Sequence, residues 1–127
     1  RGEDFAKTWN QRWFTLHPGG ILTYSREKQG EAERQIPMGA STRVRTFDQE
    51  EATSQARSMF SRRPNGIEIY QGPDCRTWYL DAGSFEKCYL WSQALHKAVG
   101  QLQPHNLTTS TPTSAVALME PSPTKPG

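Results

Sequence analysis

The sequence predicts an all-β domain closed by one C-terminal α-helix, a bent antiparallel β-sandwich or barrel with the helix across one end. Three observations carry that reading. Short alternating segments bounded by Gly, Pro and Asn recur through the first eighty residues. A single stretch near residue 90 has helical periodicity. The composition of the 127-residue chain, 34% apolar and 22% charged, suits one domain of about 100 residues with a tail.

Trp9 to His17 alternates and is rich in aromatics, and Pro18-Gly19-Gly20 turns it into Ile21 to Arg26, so the two form a hairpin. Glu33 to Met38 and Thr42 to Phe47 read as further strands. The polar stretch Asp48 to Arg63 has no period of two and is expected to be a loop with at most one helical turn. Pro64-Asn65-Gly66 then turns the chain into Ile67 to Tyr70, and Gly72-Pro73-Asp74 joins that strand to Arg76 to Asp81. Six strands are expected in all.

Ser84 is suited to cap a helix, and from Cys88 onward Trp91, Ala94, Leu95, Ala98, Val99 and Leu102 share one face. A helix from Ser84 to about Leu102 therefore lies across the sheet to hide Trp91. After Gly100 the composition changes: thirteen of residues 101–127 are Ser, Thr or Pro. Such a segment has too little apolar surface to offset its ordering entropy, so the domain is expected to span 1–102 and to be followed by a disordered linker over 103–127.

A formal net charge of +2 is far below what non-specific nucleic-acid binding requires, so no nucleic-acid partner is expected. Cys75 and Cys88 form no CxxC pair, and the three His residues lack ligand spacing, so neither a metal nor a cofactor is expected. No P-loop, GxSxG or HExxH motif is present, and the chain reads as a binding module and not an enzyme. Reduced thiols place it in the cytoplasm.

Strand parity locates the candidate site. One face of the first strand reads Asn10, Arg12, Phe14, Leu16, and one face of Glu33 to Met38 reads Arg34, Ile36, Met38. Each row is apolar with an Arg at one end. A barrel interior cannot hold an unpaired guanidinium, so Arg12 and Arg34 belong at an open rim, where water or an anion completes their hydrogen bonds. Tyr24 approaches the rim from the strand between them, and Lys7 and Arg1 precede the first strand in a turn able to fold over the opening. These five residues suit a phosphorylated headgroup. The alternative reading makes Arg12 and Arg34 surface ion pairs with Glu3, Asp4, Glu31 or Glu33, each contributing only about 0–1 kcal/mol.

The run Lys7-Thr8-Trp9-Asn10-Gln11-Arg12-Trp13-Phe14-Thr15-Leu16, then Leu22-Thr23-Tyr24, Arg34-Gln35-Ile36-Pro37-Met38 and Trp91 in the closing helix together resemble a pleckstrin homology (PH) domain over roughly residues 1–99. The nearest likeness is to the group that reads 3-phosphorylated phosphoinositides, typified by the cytohesins and the general receptor for phosphoinositides. In that group a Lys ends the first strand, a basic residue sits in the first loop and a Lys-x-Arg opens the second strand. The resemblance assigns Arg12, Tyr24, Arg34 and Lys7 to headgroup binding and places Arg1 where the first-strand Lys stands. It also implies that most of the first strand is missing, so that Trp9 to His17 is left as an open edge. Asn10 stands in place of the Lys of Lys-x-Arg, and Thr23 in place of a common Tyr. The function implied is membrane recruitment of a cytosolic signalling or trafficking protein through phosphoinositides of the cytoplasmic leaflet. A PH-type module for a peptide or small-GTPase partner is the alternative.

Overall fold

The computed structural model describes residues 7–28, 30–101 and 114–121. It contains β1 (Lys7–His17), β2 (Ile21–Ser25), β3 (Arg34–Pro37), β4 (Arg43–Thr46), α1 (Ser54–Met59), β5 (Gly66–Tyr70), β6 (Trp78–Asp81), α2 (Phe85–Gln101) and β7 (Ser114–Pro121). The seven strands form one antiparallel sheet in the order β3-β2-β1-β7-β6-β5-β4. The mostly-β fold with a helix after the sixth strand is the expected one, with α1 as a second, short helix.

The turns form for the reasons their residues dictate. Between β1 and β2, the Gly20 N–H donates to the His17 carbonyl at 3.2 Å, Pro18 holds the first corner and Gly19 takes φ +90°. That is the Pro-Gly requirement of a type II turn. At the start of β5, a Cβ on Gly66 would lie 2.2 Å from the fully buried ring of Phe47, so no other residue fits there. The Lys87 N–H donates to Ser84 Oγ at 3.2 Å, which is the cap expected for α2.

One face of the bent sheet folds over a core of Phe14, Leu16, Leu22, Ile36, Ile67, Ile69, Trp78 and Leu80. Helix α2 seals that core with Trp91, Leu95 and Ala98. Gln71, on the β5–β6 connection, accepts from Trp78 Nε1 at 3.2 Å and donates to the Pro37 carbonyl of β3 at 2.7 Å, tying one end of the sheet to the far turn. On the opposite face Phe47, Ala52, Ala56, Tyr79 and Met119 form a second cluster, with Trp9 and Met59 against it.

Two expectations about the ends of the domain need correction. The stretch 103–127 is not a disordered linker throughout: Ser114–Pro121 forms β7, while the remainder of the stretch lies outside the described residues. The octamer contains Val116, Leu118 and Met119, all buried, and a buried side chain of this kind contributes about 1.5–3 kcal/mol. With the ladders to β1 and β6, that burial orders a strand that a Ser/Thr/Pro count hides. Nor is β1 an open edge. It pairs with β7 from Lys7↔Pro121 to Phe14↔Ser114, and β7 reaches β6 through Leu80↔Leu118 and Asp81↔Ala117. The last strand in the chain fills the place beside β1 and joins the two halves of the sheet.

Candidate functional site

The same-face rows of β1, β2, β3 and β6 all end at one opening of the sheet. Arg12 stands two residues beyond the buried Phe14, Tyr24 lies opposite both Phe14 and Arg34, and Arg76 stands two residues before the buried Trp78. The opening is a cavity of about 360 Å³, lined by Asn10, Arg12, Tyr24, Arg26, Glu33, Arg34, Arg76 and Glu120. Among the described residues, four guanidiniums therefore face two carboxylates.

Its floor is aromatic. The Phe14 and Tyr24 rings lie 5.1 Å apart, and Tyr24 meets Trp78 edge-on at 6.0 Å. The Arg76 guanidinium lies 3.8 Å from the centroid of Trp78, and that of Arg34 lies 5.9 Å from it. An indole face attracts a cation through its quadrupole and holds both groups near the mouth without using up their N–H donors. Partial desolvation draws the pKa of Arg76 below its usual value, and Arg34 adds to the shift against the opposing influence of Tyr24 and Glu120. Burial raises the pKa of the Tyr24 phenol, and the Glu120 carboxylate raises it further, so the hydroxyl keeps its proton and remains a donor.

Arg12 lies deeper, with its side chain 15% exposed. Nη1 donates to the Gln11 carbonyl at 2.9 Å and Nη2 to Glu120 Oε1 at 2.8 Å. Its Nε is buried and has no hydrogen-bond partner among the described residues; Glu33 Oε1, at 3.9 Å, is beyond hydrogen-bond range. An unpaired charged donor in a shielded site costs free energy that an added anion recovers.

Of the five residues the sequence singles out, Arg12, Tyr24 and Arg34 line this one cavity. Arg1 lies outside the described residues. Lys7 opens β1 opposite Pro121, within a strand and not in a preceding turn, and its side chain lies outside the description. The ion-pair alternative is met in part, because Glu33 is near Arg12 and also pairs with Arg26 at 3.2 Å.

Parity could have found Arg76, since it extends the inward row Trp78, Leu80 by one step, as Arg12 extends Phe14, Leu16. No sequence signal pointed to Glu120, which comes from a strand that was not foreseen. Arg63, at the end of the stretch expected to be a loop, is fixed: it donates to Asp81 at 3.0 Å and lies 4.3 Å from the Trp9 ring centroid.

A second polar cluster lies beneath α1. Glu68 on β5 is fully buried and accepts from the Thr53 N–H at 3.3 Å and from the Thr53 hydroxyl. That hydroxyl in turn accepts from the Ala56 N–H at 3.2 Å as the cap of α1. Tyr79 lies 3.3 Å from it and, with the Thr53 proton committed to Glu68, is the donor. This set is closed on itself.

Among the described residues no helix is long and apolar enough to cross a membrane. No curated protein matches the chain. The profile of the PH domain family matches residues 1–100, which hold the first six strands of the antiparallel sheet and nearly all of the helix that buries Trp91. The chain belongs to the PH domain family, whose members are binding modules for lipids or proteins.

Proposed function

We propose that the rim cavity binds a phosphoinositide headgroup and that the domain recruits its parent protein to the cytoplasmic face of a membrane. Arg12, Arg34 and Arg76 hold phosphate groups, and the Tyr24 hydroxyl donates to one of them. The observation that carries this reading is the buried Arg12 Nε, unpaired among the described residues in a cavity where four of their guanidiniums meet two carboxylates. Each charge-assisted hydrogen bond to phosphate contributes roughly 1.5–3 kcal/mol, and the anionic leaflet adds a weaker, longer-range attraction. The motif likeness to the cytohesin group favours 3-phosphorylated headgroups.

The test is co-sedimentation with phosphatidylcholine vesicles containing or lacking phosphatidylinositol trisphosphate. Arg12→Ala is expected to weaken binding at least about ten-fold, equivalent to roughly 1.4 kcal/mol. Equal binding by the folded variant excludes the site. A second reading, a docking module for a protein, is favoured by Phe85, Tyr89 and Leu90, which stand 77%, 57% and 65% exposed on α2. Absence of native binding to every vesicle would turn the assignment to that reading.

A further inference from the structure

Glu120 occupies the part of the cavity where a ligand oxygen would bind Arg12. Its Oε1 accepts from Arg12 Nη2 and from Asn10 Nδ2, both at 2.8 Å. Its side chain is 17% exposed, whereas that of Glu33 at the mouth is 37% exposed. A phosphate oxygen drawing on Nε and Nη2 of Arg12 meets this carboxylate in the same place, and two anions in a shielded site repel each other. Asn10 strengthens the resident contact, because its amide donates to the carboxylate.

We propose that Glu120 is a built-in competitor, carried into the cavity by β7, that restricts the site to multiply phosphorylated ligands and excludes singly charged anions. The inference rests on the anion-site reading above. An intramolecular carboxylate acts at a high effective concentration, while a free anion bears the full entropy cost of association. A singly charged headgroup offers Arg12 no more charge than Glu120 does and cannot displace it. A polyphosphate also engages Arg34 and Arg76 at the mouth, and that additional attraction offsets the displacement.

Calorimetry with a soluble inositol tetrakisphosphate, and co-sedimentation with vesicles containing phosphatidylserine alone or phosphatidylinositol trisphosphate, test this on the full chain. Glu120→Gln keeps an acceptor for Arg12 and Asn10, so it is expected to remain folded, with thermal melting as the check. Glu120→Ala is the second variant. Both are expected to bind the tetrakisphosphate roughly ten-fold more tightly and to gain binding to phosphatidylserine vesicles that the native protein lacks. Glu86→Gln, on the exposed first turn of α2, makes the same change in net charge and is expected to alter neither. Native binding that Glu120→Gln and Glu120→Ala leave unchanged or weaken overturns the inference and leaves the site reading standing. An equal gain from Glu86→Gln overturns it as a general charge effect. Folded protein that binds neither tetrakisphosphate nor vesicles, native or variant, overturns the site reading and the inference together.

Discussion

Glu68 and Glu120 each accept two or more hydrogen bonds, yet their surroundings serve different ends. Glu68 is fully buried, its donors are the N–H and hydroxyl of Thr53, and Tyr79 completes the set. Glu120 lies at an opening where, among the described residues, guanidiniums outnumber carboxylates and Arg12 Nε has no partner. A closed set of donors and acceptors fixes one conformation, here the start of α1 against β5. An open set with cations in excess leaves attraction unused, and that is what an incoming anion can draw on. Burial of a carboxylate is not what separates structure from function in this protein; the balance of partners around it is.

The largest effect expected from breaking this contrast is at the closed set. Glu68→Ala removes the acceptor of the half-buried Thr53 N–H and hydroxyl, leaves a cavity in place of a fully buried side chain and should cost about 2–3 kcal/mol, read as a lower urea midpoint. Affinity for inositol tetrakisphosphate should be unchanged. A matching loss of affinity would mean that the two regions are one.

Arg76→Ala sharpens the contrast from the other side. The residue is exposed apart from its guanidinium's contact with Trp78, so stability should fall by no more than about 1 kcal/mol. Affinity should fall about five-fold, equivalent to roughly 1 kcal/mol. A variant that loses stability and keeps its affinity would place Arg76 among the structural groups.

The smallest effect is an alkaline one that both regions share. Burial raises the Cys88 thiol above its ordinary 9.0, and Tyr24 and Tyr79 above 10.0. Below pH 9 these groups are protonated in the folded and unfolded states alike, so the stability linked to them is fully present. As pH rises past 9 the unfolded thiol ionises while the folded one does not, and past 10 the tyrosines do the same, so stability falls through both steps. Cys88→Ala should remove the first step, and Tyr24→Phe or Tyr79→Phe should shallow the second, as followed by thermal melting at stepped pH. Melting temperatures that hold steady to pH 11 on a two-unit scan would contradict the burial of all three groups.

Six strands, α2 and its Ser84 cap were legible in the sequence because local patterns specify them: parity in the hairpins, Pro-Gly turns, and a helical face closed by Trp91. Arg12, Tyr24 and Arg34 were legible for the same reason, since parity within a strand states which side chains share a face. It does not state which strands meet. The disorder expected of the C-terminal stretch rests on its Ser, Thr and Pro content, which dilutes the short apolar run Ala115 to Met119 at the centre of β7. Arg76 was legible by the same parity, since it stands two residues before Trp78.

The sequence by itself determined six of the seven described strands, the closing helix and two of the four described rim guanidiniums, because each follows from periodicity over a few neighbouring residues. Only the tertiary structure decided that residues 114–121 lie between β1 and β6 and bring Glu120 to Arg12, a partner 108 positions away. The reason is physical: strand pairing joins backbone groups that every residue carries, so it leaves no local mark on the sequence. The choice of neighbour is made by burial, as Val116 and Leu118 meet the core that the rest of the chain has built.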